Sequence, residues 1–188
     1  MKKRIKKDAN KTDIKEIILA VEAELNAVLN KISIKKTEKL INSILSANRI
    51  FIAGQGRSGL VGETFAMRLM QLGLKAYVVG DVITPAIKNK DLLIVISGTG
   101  ETQITLDIVN GAVKQKVAVC AITSNKISRI AKTAGFVIEI KSKINHKVEP
   151  LGSLFEQAAF LYLDSIVICL MNKLHERSAD LRKRHANL

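Results

Sequence analysis

Apolar positions first recur along this chain with a helical period. Between residues 13 and 32, Ile14, Ile17, Ile18, Val21, Leu25, Val28, Leu29 and Ile32 stand three or four residues apart, which predicts an amphipathic helix. Leu40, Ile41, Ile44 and Leu45 form a second stripe and predict another helix over about 35–47. Such a helical hairpin needs a surface to cover.

From Arg49 the period changes. RIFIA (49–53), KAYVVG (75–80), DLLIVIS (91–97), VAVCAIT (117–123) and FVIEI (136–140) are short, β-branched runs bounded by turn residues, and they predict buried strands. Helical stretches near 58–72, 101–115 and 125–134 separate them. Strand and helix in alternation predict a doubly wound α/β fold, a five-stranded parallel sheet covered by helices on both faces. KSKINHKVEPL (141–151) reads as a polar loop, and residues 152–174 read as a helix apolar almost all round its middle, hence a core helix or a subunit contact.

The length of 188 residues suits one domain, because single cores usually occupy roughly 100–200 residues. The formal charge of +13 changes the picture at the start of the chain, where residues 1–11 hold six Lys/Arg against Asp8. Residues 1–12 are therefore expected to be a basic flexible tail and residues 13–188 a single domain. With no Trp, two Tyr and no interleaving of aromatic and basic residues, the chain offers little on which to stack bases, so no nucleic-acid partner is expected. Asp13, Glu16, Glu22 and Glu24 interrupt the segment that a signal peptide would need apolar, and no later run gives 18–20 uncharged apolar residues. A cytoplasmic protein with no membrane partner is expected. Cys120 and Cys169 sit in apolar contexts too far apart for a redox or zinc motif, and both are expected to be buried, reduced thiols.

Chemistry concentrates in two loops. GQGRSG (54–59) follows one strand and opens a helix; SGTGET (97–102) does the same two strands later. Glycines and hydroxyls at a helix start offer unpaired N–H groups, hydroxyl donors and the positive end of the helix dipole, which together suit a phosphate. Gly56, Ser58, Ser97, Gly98, Thr99, Gly100, Glu101 and Thr102 are the candidate substrate-binding residues, with Arg57 adding charge or facing a partner subunit. GQGRSG also satisfies G-x-G-x-x-G, and Asp81 falls where a ribose-binding acid would. Against a dinucleotide stand the hydroxyl-rich second loop and the lack of chain for a substrate domain.

The segments FIAGQGRSGLVGETFAMRLMQLG (51–73), VISGTGET (95–102), PLGSLFEQAAFLYLD (150–164) and RKRHANL (182–188) resemble the sugar isomerase (SIS) domain family, and within it the 6-phospho-3-hexuloisomerases of the ribulose monophosphate pathway of formaldehyde fixation. The resemblance runs from about residue 35 to the end of the chain. It implies interconversion of D-arabino-hex-3-ulose 6-phosphate and D-fructose 6-phosphate, a phosphosugar substrate bound by Ser58 and residues 97–102, Glu156 as proton acceptor, no cofactor, no metal, and a homodimer or homotetramer. The apolar neighbours of Glu156, Leu154, Phe155, Ala158 and Ala159, suit a desolvated carboxylate, which accepts a proton more readily. His185 is the candidate for moving protons between the substrate oxygens, or for completing a neighbour's site; His146 and His175 are weaker candidates. Another phosphosugar isomerase, or a regulator that binds sugar phosphate without turnover, fits the same residues.

Overall fold

Strands β1 (Ile50–Gly54), β2 (Ala76–Val78), β3 (Leu92–Ile96), β4 (Ala118–Thr123) and β5 (Phe136–Glu139) form one parallel sheet in the order β2-β1-β3-β4-β5. They belong to a computed structural model that describes residues 13–142 and 152–187. The basic tail, most of the 141–151 loop with His146, and Leu188 lie outside the described residues. From β1 the chain goes to one side to make β2 and then returns to the other side as β3, paired from Ile50↔Leu92 to Gly54↔Ile96. That reversal leaves a crevice beyond the carboxyl ends of β1 and β3, the place where open α/β sheets hold ligands.

Because successive strand residues face opposite ways, each strand supplies two cores. Ile50, Ile52, Leu92, Ile94, Ile96, Cys120 and Ile122 face a layer made by α1 (Ile14–Leu29), α2 (Ile34–Ser46), α3 (Gly56–Gln71) and α6 (Ser153–Leu174). Phe51, Ala53, Leu93, Val95, Val119 and Ala121 face α4 (Gln103–Lys114) and α5 (Arg129–Thr133). Every residue of β3 is buried, as a strand covered on both sides requires. A short last helix, α7 (Ser178–Lys183), packs on the end of α3.

α6 is the central helix of its layer. Leu154, Phe155, Ala158, Ala159, Tyr162, Leu163, Ile166, Val167 and Leu170 are buried, and the Tyr162 hydroxyl lies 3.0 Å from Thr37 Oγ1 on α2. By length and composition α6 is long and apolar enough to cross a membrane, yet half of its apolar window is buried within the domain. The other side of the helix exposes Phe160, Leu161 and Ile168. Cys169 shares that exposure, which corrects the expectation of two buried thiols: its neighbours in sequence are apolar, but only part of the helix circumference meets the core.

Elsewhere the differences lie at element ends. α5 covers only Arg129–Thr133 of the expected 125–134 because Asn125 Oδ1 first accepts from Ile127 N, closing a turn, and Ser128 Oγ then caps the helix from Ala131 N. The stripe of α1 is buried only toward its end, at Val28, while Ile14, Ile18 and Leu19 are exposed.

Candidate active site

A cavity of about 260 Å³ opens in the crevice between β1 and β3. Ser58 reaches it from the first turn of α3, and Ser97, Gly98, Thr99 and Thr102 from the loop between β3 and α4. Ser124 after β4 and Ser142 after β5 also line it. Hydroxyls that line the cavity therefore follow four of the five strands. Neither Ser124 nor Ser142 was singled out from the sequence, although the position of Ser124 just after VAVCAIT matches that of Ser97 after its own strand.

The loop from Ser97 to Thr102 is held from below. The Gly98 carbonyl accepts from Ser124 N, Ser124 Oγ and Thr123 Oγ1, at 3.1, 2.6 and 3.2 Å. Ser97 Oγ accepts from Gly100 N at 3.2 Å and lies 3.3 Å from Thr102 Oγ1. Gly100 has φ +68°, and a Cβ there would collide with Ser128 Oγ, so α5 can pack against the loop only if this position is glycine. Among the described residues the N–H groups of Gly98 and Thr99 have no protein acceptor, which leaves them available beside the hydroxyls.

Glu101 turns the other way. Its carboxylate accepts from Arg129 Nε at 2.6 Å and from Arg129 N at 3.0 Å, and the Arg129 side chain, followed by its backbone N–H, holds the carboxyl below its ordinary value. Glu101, expected among the substrate-binding residues, places its side chain outside the cavity, where it braces the loop to α5. Gly56, with φ +57°, and Gly100 shape their turns without lining the cavity.

Among the described residues, the carboxylate in the cavity belongs to Glu156. Phe155 packs beneath the loop, so closely that a Cβ on Gly98 would lie 3.1 Å from its ring, and this contact carries the first turn of α6 to the crevice. Glu156 is not alone among apolar groups, as its sequence neighbours suggested: Oε2 accepts from Arg57 Nε at 2.7 Å, with the Glu156 side chain 14% exposed and that of Arg57 60%. Arg57 does not line the hydroxyl-bearing cavity. It borders a second, apolar cavity of about 500 Å³ with Leu25, Leu60, Phe160 and Leu161, and Glu156 separates the two.

His185 lies elsewhere. It lines a third cavity with Arg68, Gln71, Asp164 and Arg182, at the end of α3 remote from Gly56. Since α3 has 16 residues, about 24 Å of helix at 1.5 Å per residue separates that end from the crevice. Within one chain His185 and Glu156 do not share a site, so a reaction using both would need a second copy. His175 caps the far end of α6.

The SIS domain model matches residues 43–163, which contain both glycine-hydroxyl loops and Glu156. The chain is 37% identical to the 3-hexulose-6-phosphate isomerase of Bacillus subtilis, over 92% of this chain and 97% of the relative. It is 39% identical to the 3-hexulose-6-phosphate isomerase of Methanocaldococcus jannaschii, over 81% of this chain and 84% of the relative. A solved structure of a hypothetical protein from Methanococcus jannaschii, described as inferring a function of 3-hexulose-6-phosphate isomerase, superposes with a TM-score of 0.84 at 34% identity, covering 92% of this chain and 99% of that one. With its model match over most of the chain and these near-full-length relatives, the chain belongs to the SIS domain family.

Proposed function

We propose that the protein interconverts D-arabino-hex-3-ulose 6-phosphate and D-fructose 6-phosphate, the step that would place it in formaldehyde fixation by the ribulose monophosphate pathway. The reading rests on one observation: a carboxylate, Glu156, shares a small cavity with a ring of hydroxyls and free backbone N–H groups. Ser58, Ser97, Thr99 and Thr102 anchor the phosphate, an anion that helix starts and hydroxyl donors suit.

The chemistry then needs a single positioned base. Glu156 takes the proton from C2 of the 3-ketose, and the electron pair of the broken C–H bond forms the C2–C3 double bond of an enediolate. Return of that proton to C3, with O3 gaining a proton as O2 loses one, leaves the ketone at C2. Among the described residues of one chain, the hydroxyls around the cavity are the groups placed to move the oxygen-bound proton; His185 takes part only if a second copy brings it there.

Residues 13–188 act as one domain in this reading, working in the cytoplasm as a homodimer or homotetramer. The exposed apolar face formed by Phe160, Leu161 and Ile168 supports association between copies.

The test is a coupled assay for fructose 6-phosphate formation from the 3-hexulose phosphate. Wild-type protein turns over, and Glu156→Gln binds fructose 6-phosphate while losing at least about a hundredfold in kcat, the usual contribution of a general base. Normal turnover by the Gln variant would remove Glu156 from the mechanism.

A further inference from the structure

Arg57 is the cation paired with Glu156, and its charge suggests a phosphate ligand. Its placement argues otherwise. The guanidinium reaches Glu156 from the apolar cavity bordered by Leu25, Leu60 and Phe160, while the hydroxyls stand on the other side of the carboxylate. Nε donates to Oε2 at 2.7 Å, a short charge-assisted bond. The other oxygen, Oε1, is the one that would lie 3.0 Å from a Cβ added at Gly152, a residue that lines the hydroxyl-bearing cavity.

A carboxylate on a freely turning terminal torsion presents either oxygen in many directions. Fixing Oε2 from behind fixes the direction of the lone pairs on Oε1. We infer that Arg57 is a positioning residue: it holds Glu156 from outside the substrate cavity, dividing the carboxylate into an anchored oxygen and a proton-accepting one, and does not itself bind the phosphate. The inference rests on the proposed role of Glu156 as the base.

Arg57→Gln and Arg57→Lys test it, read by steady-state kinetics and by calorimetric binding of fructose 6-phosphate. The pair is more than half exposed on the Arg57 side, so it contributes little to stability and both variants should melt with wild type. Arg57→Gln lowers kcat about 10–100-fold, the scale of a misoriented catalytic group, and leaves KM and the binding affinity within about threefold. Arg57→Lys recovers part of kcat, because an ammonium can still pair with Oε2 but lacks the planar fork.

Two results would overturn the inference. One is a loss of about tenfold or more in affinity with kcat unchanged, which would make Arg57 a phosphate ligand; the other is no change in any quantity. The binding measurement decides about phosphate contact even if the wild type shows no turnover. In that case the isomerase reading itself fails, so the two failures can be told apart.

Discussion

Gly152 and Glu156 face each other across the first turn of α6: Gly152 sits at φ +85°, and a Cβ built on it would stand 3.0 Å from Glu156 Oε1. The left-handed backbone at 152 favours glycine, and a Cβ there would also press on the carboxylate oxygen in front of it. Gly152→Ala is expected to strain the turn by about 1 kcal/mol and to push the carboxylate off its position. Activity should fall more than stability does: kcat drops by about tenfold or more through misorientation, while thermal melting shifts by only a few degrees. An Ala variant with full kcat would mean that Oε1 need not occupy its present place.

Ser58 and Ser97 separate binding from architecture. Both hydroxyls line the cavity, but Ser97 Oγ also accepts from Gly100 N, whereas Ser58 Oγ has no protein partner among the described residues. Ser58→Ala should raise KM roughly 10–100-fold, as the loss of one hydrogen bond to a charged group does, and leave the melting temperature unchanged. Ser97→Ala should raise KM and also destabilise the protein by about 1 kcal/mol, because its loop loses an internal acceptor. Kinetics and calorimetric melting of both variants check the contrast.

Much of this molecule is legible in its sequence, for reasons that also set the limits. The strands announce themselves because β1 and β3 to β4 are buried on both faces, which permits almost only apolar residues. The two phosphate-type loops are legible because a strand-to-helix turn that must also approach a ligand needs glycine and hydroxyls together. What a linear pattern does not carry is direction. Arg57 and Ser58 are adjacent in sequence, yet one helical step of 100° puts them on different cavities. His185 follows a helix whose docking on the far end of α3 depends on contacts such as Arg184 Nη1 with the Gln71 carbonyl, 113 residues apart. Cys169 is exposed despite its apolar neighbours for a related reason: local hydrophobicity does not reveal which side of a long apolar helix meets the core.

Arg49 and Asp91, at the opposite ends of β1 and β3 from the cavity, tie the two central strands together. Arg49 Nη2 and Nε donate to Asp91 Oδ2 and Oδ1 at 2.6 and 3.1 Å, and Lys88 N donates to Oδ2 at 2.7 Å. Burial opposes the charge on Asp91, but the Arg49 side chain and the Lys88 N–H outweigh it, so the carboxyl titrates below its ordinary value. A lowered folded value means that the stabilisation is present in full above the unfolded carboxyl value near 4 and is lost as pH falls through the lower folded value. Asp91→Asn is therefore expected to lower stability at neutral pH by about 2–3 kcal/mol, less than a fully buried pair because Arg49 stays 20% exposed. The gap between the wild-type and variant melting temperatures should narrow below about pH 4, and a gap that stayed constant down to pH 2 would exclude this ion pair as its source.

Leu161 and Ile168 lie two helical turns apart on α6, 42% and 61% exposed, and α1 adds exposed Ile14, Ile18 and Leu19. Scattered exposed apolar residues need no explanation, but a run on a long helix beside an apolar cavity of about 500 Å³ is the kind of surface that a second copy covers. A Leu161→Asp, Ile168→Asp double variant should leave the fold intact, because neither side chain belongs to the core, and should reduce the mass in light scattering, to a single chain from a dimer or to a smaller assembly from a tetramer. Cys169 supplies an independent readout on the same helix. Its exposed thiol should react with a disulfide reagent faster in the double variant than in wild type, while Cys120, which is fully buried and whose thiol burial pushes up from its ordinary value, stays unreactive in both. Unchanged mass together with unchanged labelling of Cys169 would show that copies associate through another face.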